Sequence, residues 1–424
     1  MSHNIGAPQY PNRGRIANMP RLLGLIRLLV TVVAVSAVAV GLAMPSMTSV
    51  RAAAVPRDEV PVAPPLHTQG RVIVDQLGQQ VHLASASWYG AESVDYVPGG
   101  LQTRPIADIA RQIRQLGFNT IRLQWSNQMV ESNPIVPDYA VAANPGLRGR
   151  HALDIFDSVV HALTAQRIMV LLDNHNSNAE WCCGGNDGNM LWYNAQYPES
   201  NWIADWDAMV ARYRGNPLVV GVDLRNEPRA PATWGGPAAT DWHAAAERGG
   251  NAVLSVNPNL LVLVEGVSYA GDLSGVNSLP VTLDVPDRVV YEAHDYSWYT
   301  GGYTSYEGWY QEIYPRWGYL VTGPSPQPLF VGEYGTCNTT PTCVNNPTPG
   351  TQGFWFNVST TFLANYRVSW SYWALNGTQS TGAGRTWNAP ETYGILNTGW
   401  DGPSSIPLLT RLQQIEFDSA GASS

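Results

Sequence analysis

Lysine is missing from this sequence altogether, since all 24 basic residues are arginine, a bias to which no particular chemistry attaches. Charge of either sign is scarce, at 13% of residues, about half the share usual in soluble domains. The surface must therefore be largely neutral and polar. The formal net charge is -9 and the acidic groups are scattered rather than run together, which argues against a nucleic-acid partner, because that would want a basic face. Phenylalanine is thin, with 7 residues against 16 tryptophans and 20 tyrosines. That ratio favours rings with a polar edge, which suit sugars, although large cores also use them. There is no internal repeat and no low-complexity block, and nothing after Asp401 is long enough to be a separate binding module.

Only one long apolar run exists. Residues 1–20 are polar, with Pro11, Gly14 and Pro20, and read as unstructured. Arg21 and Arg27 then precede an uncharged run over residues 28–50, whose apolar part, Leu28–Met44, falls in length between a signal-peptide core and a spanning helix. Ala52-Ala53-Ala54 offers a small-residue cleavage site, while the long polar leader favours an uncleaved anchor. In either case Arg13, Arg15, Arg21 and Arg27 lie on the N-terminal flank, so the positive-inside rule sends the rest of the chain out of the cytoplasm. The expected organisation is an export signal or membrane anchor over residues 1–54, a proline-rich linker over 55–69, and a single domain over 70–424. The protein is expected to be secreted or anchored to the cell envelope, and monomeric.

Beyond the linker, strand-like and helix-like segments alternate with no second linker. Strands are predicted near 82–88, 118–125, 167–173, 218–225, 260–265, 288–294, 328–333 and 367–373, from buried-type apolar runs. Helices are predicted over Ile106–Leu116, Ala152–Gln166, Trp202–Tyr213 and Thr240–Leu254, with a last one over Leu408–Phe417. Eight strands with crossover helices make an α/β fold, a (β/α)8 TIM barrel. The segment Arg71–His82, with Gly78 at its centre, reads as a hairpin that closes the barrel floor.

Two of these strands end alike. Val219–Pro228 runs Val-Val-Gly-Val-Asp-Leu-Arg-Asn-Glu-Pro, an apolar strand stopped by a polar cluster and a proline, which cannot continue a ladder. Pro328–Gly335 runs Pro-Leu-Phe-Val-Gly-Glu-Tyr-Gly. Asn226 with Glu227, and Glu333, thus sit at strand mouths, on the fourth and seventh strands of the count. Two such glutamates are the equipment of glycoside hydrolysis. Arg122, at the second strand end, is placed to donate to Glu333 and keep it ionised.

The residues around these glutamates resemble glycoside hydrolase family 5, the cellulase-like branch of the clan that keeps its two glutamates on strands four and seven. The similarity runs from about residue 70 to residue 400. It is carried by Ile121-Arg122-Leu123, His175, Leu224-Arg225-Asn226-Glu227-Pro228, Ala293-His294-Asp295-Tyr296, Val331-Gly332-Glu333-Tyr334-Gly335 and Ser371-Tyr372-Trp373-Ala374-Leu375-Asn376. The stretch Ala244–Gly266 is similar to secreted bacterial endo-β-1,4-glucanases of that family. The resemblance implies retaining hydrolysis of β-1,4 bonds within a glucan, with Glu227 as acid/base and Glu333 as nucleophile. It further implies that Tyr296 donates to the nucleophile, that His294 lines the same cleft, and that His175 contacts sugar. Asn226 would bind the 2-hydroxyl of the sugar at the cleavage point, and Trp373 would be the platform beneath it. No cofactor is implied. A β-mannanase or another β-glucanase stays open within the class, since fold and glutamates do not set the sugar. A non-catalytic carbohydrate-binding envelope protein stays open outside it.

The four cysteines are even in number in a chain read as exported, which suggests disulfides. Five residues separate Cys337 from Cys343, and this compact turn is expected to carry a bridge. Cys182 and Cys183 are expected to be bridged to each other or free, because a bridge between neighbours closes a strained eight-membered ring. His175 with Cys182 and Cys183 fits no usual zinc spacing, and no metal is expected. The loop Asn174–Asn194 departs from the endoglucanase pattern, which leaves the distal sugar subsites open.

Overall fold

Runs such as Leu261–Glu265 and Leu329–Tyr334 carry apolar residues on both faces, and such strands are satisfied only in a sheet covered on both sides. The computed structural model of the chain describes residues 62–416. Three short strands, β1 (His67–Gln69), β2 (Val72–Val74) and β3 (Gln80–Val81), form an antiparallel sheet. Eight parallel strands follow: β4 (Ala84–Trp88), β5 (Thr120–Ser126), β6 (Met169–Asn176), β7 (Val219–Asp223), β8 (Leu261–Glu265), β9 (Val289–His294), β10 (Leu329–Tyr334) and β11 (Ser369–Tyr372). They pair in chain order, and β11 returns to β4, closing the (β/α)8 barrel.

Helices cover the outside. Ile106–Leu116 buries Ile106, Ile109, Ala110, Ile113 and Leu116, spaced for one helical face, and stops at Gly117, whose φ of 106° suits a residue without a Cβ. Helices Ala152–Ala165, Glu199–Tyr213 and Trp242–Val256 occupy the next three crossovers they were predicted to fill. Two further helices, Tyr306–Ile313 after β9 and Gln352–Tyr366 after β10, were not predicted.

Inside the barrel, alternate residues of each strand point inward and stack in layers. The lower layer is apolar: Leu171, Leu261, Leu263, Val290 and Phe330 pack on Leu66, just before β1, and on Ile73 and Val81 of the antiparallel sheet, which closes the floor as expected. Two residues further along β6, β8 and β9 come Asp173, Glu265 and Glu292, so the upper layer is charged and still buried. Gly332 belongs to this layer. A Cβ there would fall on the Glu292 carboxylate, so the residue before Glu333 has no room for a side chain.

Two boundaries differ from expectation. Leu66 is fully buried and the Thr68 N–H donates to the Asp287 carbonyl at 3.0 Å, so the end of the expected linker over 55–69 is part of the floor sheet. The last helix spans Ile406–Gln413, and Phe417 lies outside the described residues. The export segment over residues 1–54 and its uncharged run over 28–50 also lie outside them. No helix among the described residues is long and apolar enough to cross a membrane.

Candidate active site

The eight residues singled out from the sequence come from six strands, at or near their ends except Arg122, which was expected at its strand's end but is the third of the seven residues of β5. Arg122 lies on β5, His175 on β6, Asn226 and Glu227 just past β7, His294 at the end of β9 with Tyr296 two residues on, Glu333 on β10, and Trp373 one residue past β11. Direct contacts join them at the C-terminal mouth of the barrel.

Glu227 has a φ of 47°, a left-handed conformation rare for a residue with a side chain, and Glu265 Oε2 accepts its backbone N–H at 2.6 Å. Its Oε1 lies 3.1 Å from His294 Nδ1. Burial pushes the Glu227 carboxyl up to about 7, with Arg229 and Arg122 opposing. Glu333 sits differently, because its Oε1 accepts from Arg122 Nη1 at 2.8 Å and its Oε2 accepts the Tyr296 hydroxyl at 3.0 Å. One oxygen from each glutamate and one nitrogen of His294 lie within 4.8 Å of one another. Burial pushes His294 down to about 3, so its ring is neutral at ordinary pH.

Arg122 is fully buried and anchors the layer beneath. Besides Glu333 it reaches Asp223 at 2.6 Å, Asp173 and Glu265 at 3.0 Å, and Glu292 at 3.5 Å. Burial works against the guanidinium charge, but Asp173, Asp223, Glu292 and Glu333 outweigh it and hold the group charged. One cation cannot balance so many anions out of water, so protons must fill the gap. Accordingly burial pushes Asp173 up to about 6 and drives Asp223, Glu265 and Glu292 upward too.

On the opposite side of the cleft, Asn226 Oδ1 accepts from Arg122 Nη2 at 2.8 Å, which turns its Nδ2 toward the loop after β6. His175 Nδ1 lies 2.8 Å from Asp173 Oδ2, and burial pushes this histidine down to about 3. Half-buried Trp373 lies nearly parallel to His175, with centroids 5.9 Å apart, and to Tyr89 at 5.2 Å. Cys182 is joined to Cys183, and Cys337 to Cys343 with Cα atoms 5.3 Å apart. Among the described residues, three groups bring potential metal-ligand atoms within 4.8 Å: His175 with Cys182 and Cys183, Glu227 with His294 and Glu333, and Glu265 with Glu292 and His294. In the first the sulfurs are spent on each other. In the second, Glu333 already accepts from Arg122 and Tyr296, and Glu227 faces His294; in the third, Glu265 accepts from Arg122 and from the Glu227 amide.

Residues 74–379 match the family model described as cellulase, glycosyl hydrolase family 5. The chain belongs to glycosyl hydrolase family 5. An endoglucanase of Paenibacillus polymyxa is 36% identical over 353 residues, 77% of this chain and 84% of that one. The major extracellular endoglucanase of Xanthomonas campestris pv. campestris is 40% identical over 199 residues, 47% of this chain and 40% of the relative. The solved catalytic domain of that major endoglucanase superposes with a TM-score of 0.70 at 28% identity, covering 83% of this chain and 99% of the other.

This family 5 glycoside hydrolase holds polar residues that the sequence reading passed over. Glu265 ends its apolar strand and Glu292 lies two residues before the end of another, so a signal like that of Glu227 and Glu333 was present for them. Trp181, edge-on to Tyr89 and Trp373 at 5.2 and 5.9 Å, lies in a loop, and Trp298, stacked on Tyr296 at 4.2 Å, in the single helical turn Ser297–Thr300, segments too short or irregular to show a period.

Proposed function

We propose that this family 5 enzyme cleaves β-1,4 bonds within a glucan with retention of configuration, using Glu333 as nucleophile and Glu227 as acid/base. The observation that carries the reading is the approach of Glu227 and Glu333 to within 4.8 Å, oxygen to oxygen. Retaining pairs stand about 5–5.5 Å apart, whereas inverting pairs leave about 6.5–9.5 Å for an intervening water. In the first step a Glu333 oxygen bonds to the anomeric carbon as the glycosidic bond breaks, and the Glu227 proton goes to the departing oxygen. In the second, Glu227 takes a proton from water, whose oxygen displaces Glu333. The raised Glu227 carboxyl suits a group that must first give a proton. Arg122 and Tyr296, both donating to Glu333, suit a group that must carry negative charge.

In the same reading Asn226 meets the 2-hydroxyl of the reacting sugar, His175 and His294 line its pocket, and Trp373 lies beneath it. The glucan assignment is supported by the relatives' names, since those from Paenibacillus and Xanthomonas are both endoglucanases. We further propose an exported, monomeric and disulfide-bonded protein, with residues 1–54 as its signal or anchor and the following proline-rich stretch as its linker. Release of reducing ends from carboxymethylcellulose, mixed-linkage glucan, mannan and xylan tests the function. The glucans should be cut fastest, with a rapid fall in viscosity that marks internal cleavage. A preference for mannan would move the enzyme to another substrate, and no release from any of the four would leave only a binding role.

A further inference from the structure

The loop after β6 brings a pair of sulfurs against the residues read as sugar ligands. Asn226 Nδ2 lies 3.4 Å from Cys183 Sγ and 3.6 Å from Cys182 Sγ, while His175 Nε2 lies 3.4 Å from Cys182 Sγ. Disulfide sulfur is a weak acceptor, so a sugar hydroxyl arriving at Nδ2 replaces a poor partner with a good one. The amide is thereby turned toward the cleft without being spent on a competing oxygen.

The pair is itself held from both flanks. On one side the Glu180 carbonyl accepts from Asn176 Nδ2 at 2.5 Å, and the Glu180 carboxylate accepts from Asn189 Nδ2 at 2.7 Å. On the other, the Gly184 carbonyl accepts from Arg229 Nε at 3.2 Å, and Arg229 also pairs with Asp187 at 2.5 Å. Arg385 lies over the Trp181 ring at 3.9 Å. Neighbouring cysteines joined to one another also lack the independent rotamers of two free side chains. Arg122 on one end of the Asn226 carboxamide and the sulfur pair on the other therefore leave it a single orientation.

We infer that the Cys182–Cys183 pair is a positioning element of the reaction subsite, one that aims the Asn226 carboxamide at the 2-hydroxyl of the sugar being cleaved. This rests on the reading of Asn226 as the 2-hydroxyl ligand. That contact strengthens in the transition state, so the pair acts on turnover of substrates that carry the hydroxyl and is silent toward those that lack it.

The test compares an aryl β-cellobioside with its 2-deoxy analogue, altered in the sugar that is cleaved, on wild type, on Asn226→Ala and on Cys182→Ala/Cys183→Ala. The double variant should lose about tenfold in kcat on the 2-hydroxy substrate, the scale of one hydrogen bond, and stay within about twofold on the 2-deoxy one. Asn226→Ala should show the same selectivity, more strongly. Equal losses on both substrates in the cysteine variant, or none, would overturn the inference alone. Equal losses in Asn226→Ala would overturn the reading beneath it, and the inference with it. If the double variant does not fold, Cys337→Ala/Cys343→Ala enzyme is assayed on both substrates before and after reduction by a water-soluble phosphine. The ratio of the two rates must then drop on reduction, and an unchanged ratio overturns the inference.

Discussion

Replacing Arg122 by methionine removes the cation at the centre of a buried acidic layer while filling much of its volume. In the wild type its guanidinium lies 2.6 Å from Asp223, 2.8 Å from Glu333 and 3.0 Å from Asp173 and Glu265. Each such pair is worth about 4 kcal/mol at 4 Å and an effective dielectric constant of about 20, but the sum is never realised, because carboxyls deprived of their partner take up protons. The expected cost is therefore that of breaking a buried ion pair, about 3–5 kcal/mol at pH near 7.5. Its sign with pH follows from the carboxyls. The folded-state values of Asp173, Glu265 and Glu292 are raised, to about 6 for Asp173, so in acid these three carry protons already and lose little when the cation goes. Urea unfolding of wild type and Arg122→Met at about pH 5 and about pH 7.5 should show a much smaller difference in acid than at neutrality. A difference under about 1 kcal/mol at neutral pH, or one equal at both, would refute the view that this arginine balances the layer. Turnover should fall as well, since Glu333 and Asn226 both lose a donor.

Glu227→Gln should lower kcat/KM by several orders of magnitude while the fold survives, and retention of more than about a tenth of activity, a barrier change of only ~1.4 kcal/mol, would contradict its role. In the wild type the alkaline limb of the rate profile should fall through about 7, because the raised Glu227 carboxyl holds its proton below that value and loses it above. Gly332→Ala should cost at least about a hundredfold in kcat/KM, since the new methyl must displace the Glu292 carboxylate and with it the strand carrying Glu333; wild-type activity would mean the close approach is not real. Peptide mapping without reduction should link Cys337 to Cys343, and Cys337→Ala/Cys343→Ala should lose less than the ~3 kcal/mol expected of a 15-residue loop.

The barrel was legible because its strands are buried on both faces. Runs such as Leu261–Glu265 stay apolar to their last residue and then turn polar, which marks strand and mouth together. Glu227 and Glu333 were visible for that reason, whereas Glu265 and Glu292, near the ends of their strands but buried inside the barrel, were passed over. What could not be read was whatever depends on distant partners. The left-handed backbone of Glu227 is held by a carboxylate 38 residues away. Gln352–Tyr366 buries Ser359 and Thr360 beside Trp355, Phe356 and Phe362, so no clean apolar stripe announces a helix. β1 was hidden by Pro64 and Pro65, whose linker-like composition gives no hint that Leu66 is in the floor of the barrel. The loop after β6 has no period at all, and its sulfurs meet Asn226 only because Arg229 and Asn189 fold it back over the mouth.

The pairing of Glu333 as nucleophile with Glu227 as acid/base is tested most directly by trapping the covalent intermediate. A 2-deoxy-2-fluoro β-cellobioside with a good leaving group should form a glycosyl-enzyme that hydrolyses slowly, because the electron-withdrawing fluorine destabilises the oxocarbenium-like transition state and removes the 2-hydroxyl contact that strengthens in it. Digestion and mass spectrometry should then place a single fluorocellobiosyl group on the peptide containing Glu333, and Glu333→Gln should not be labelled. A label on Glu227, or products of inverted configuration with no adduct, would contradict the assignment.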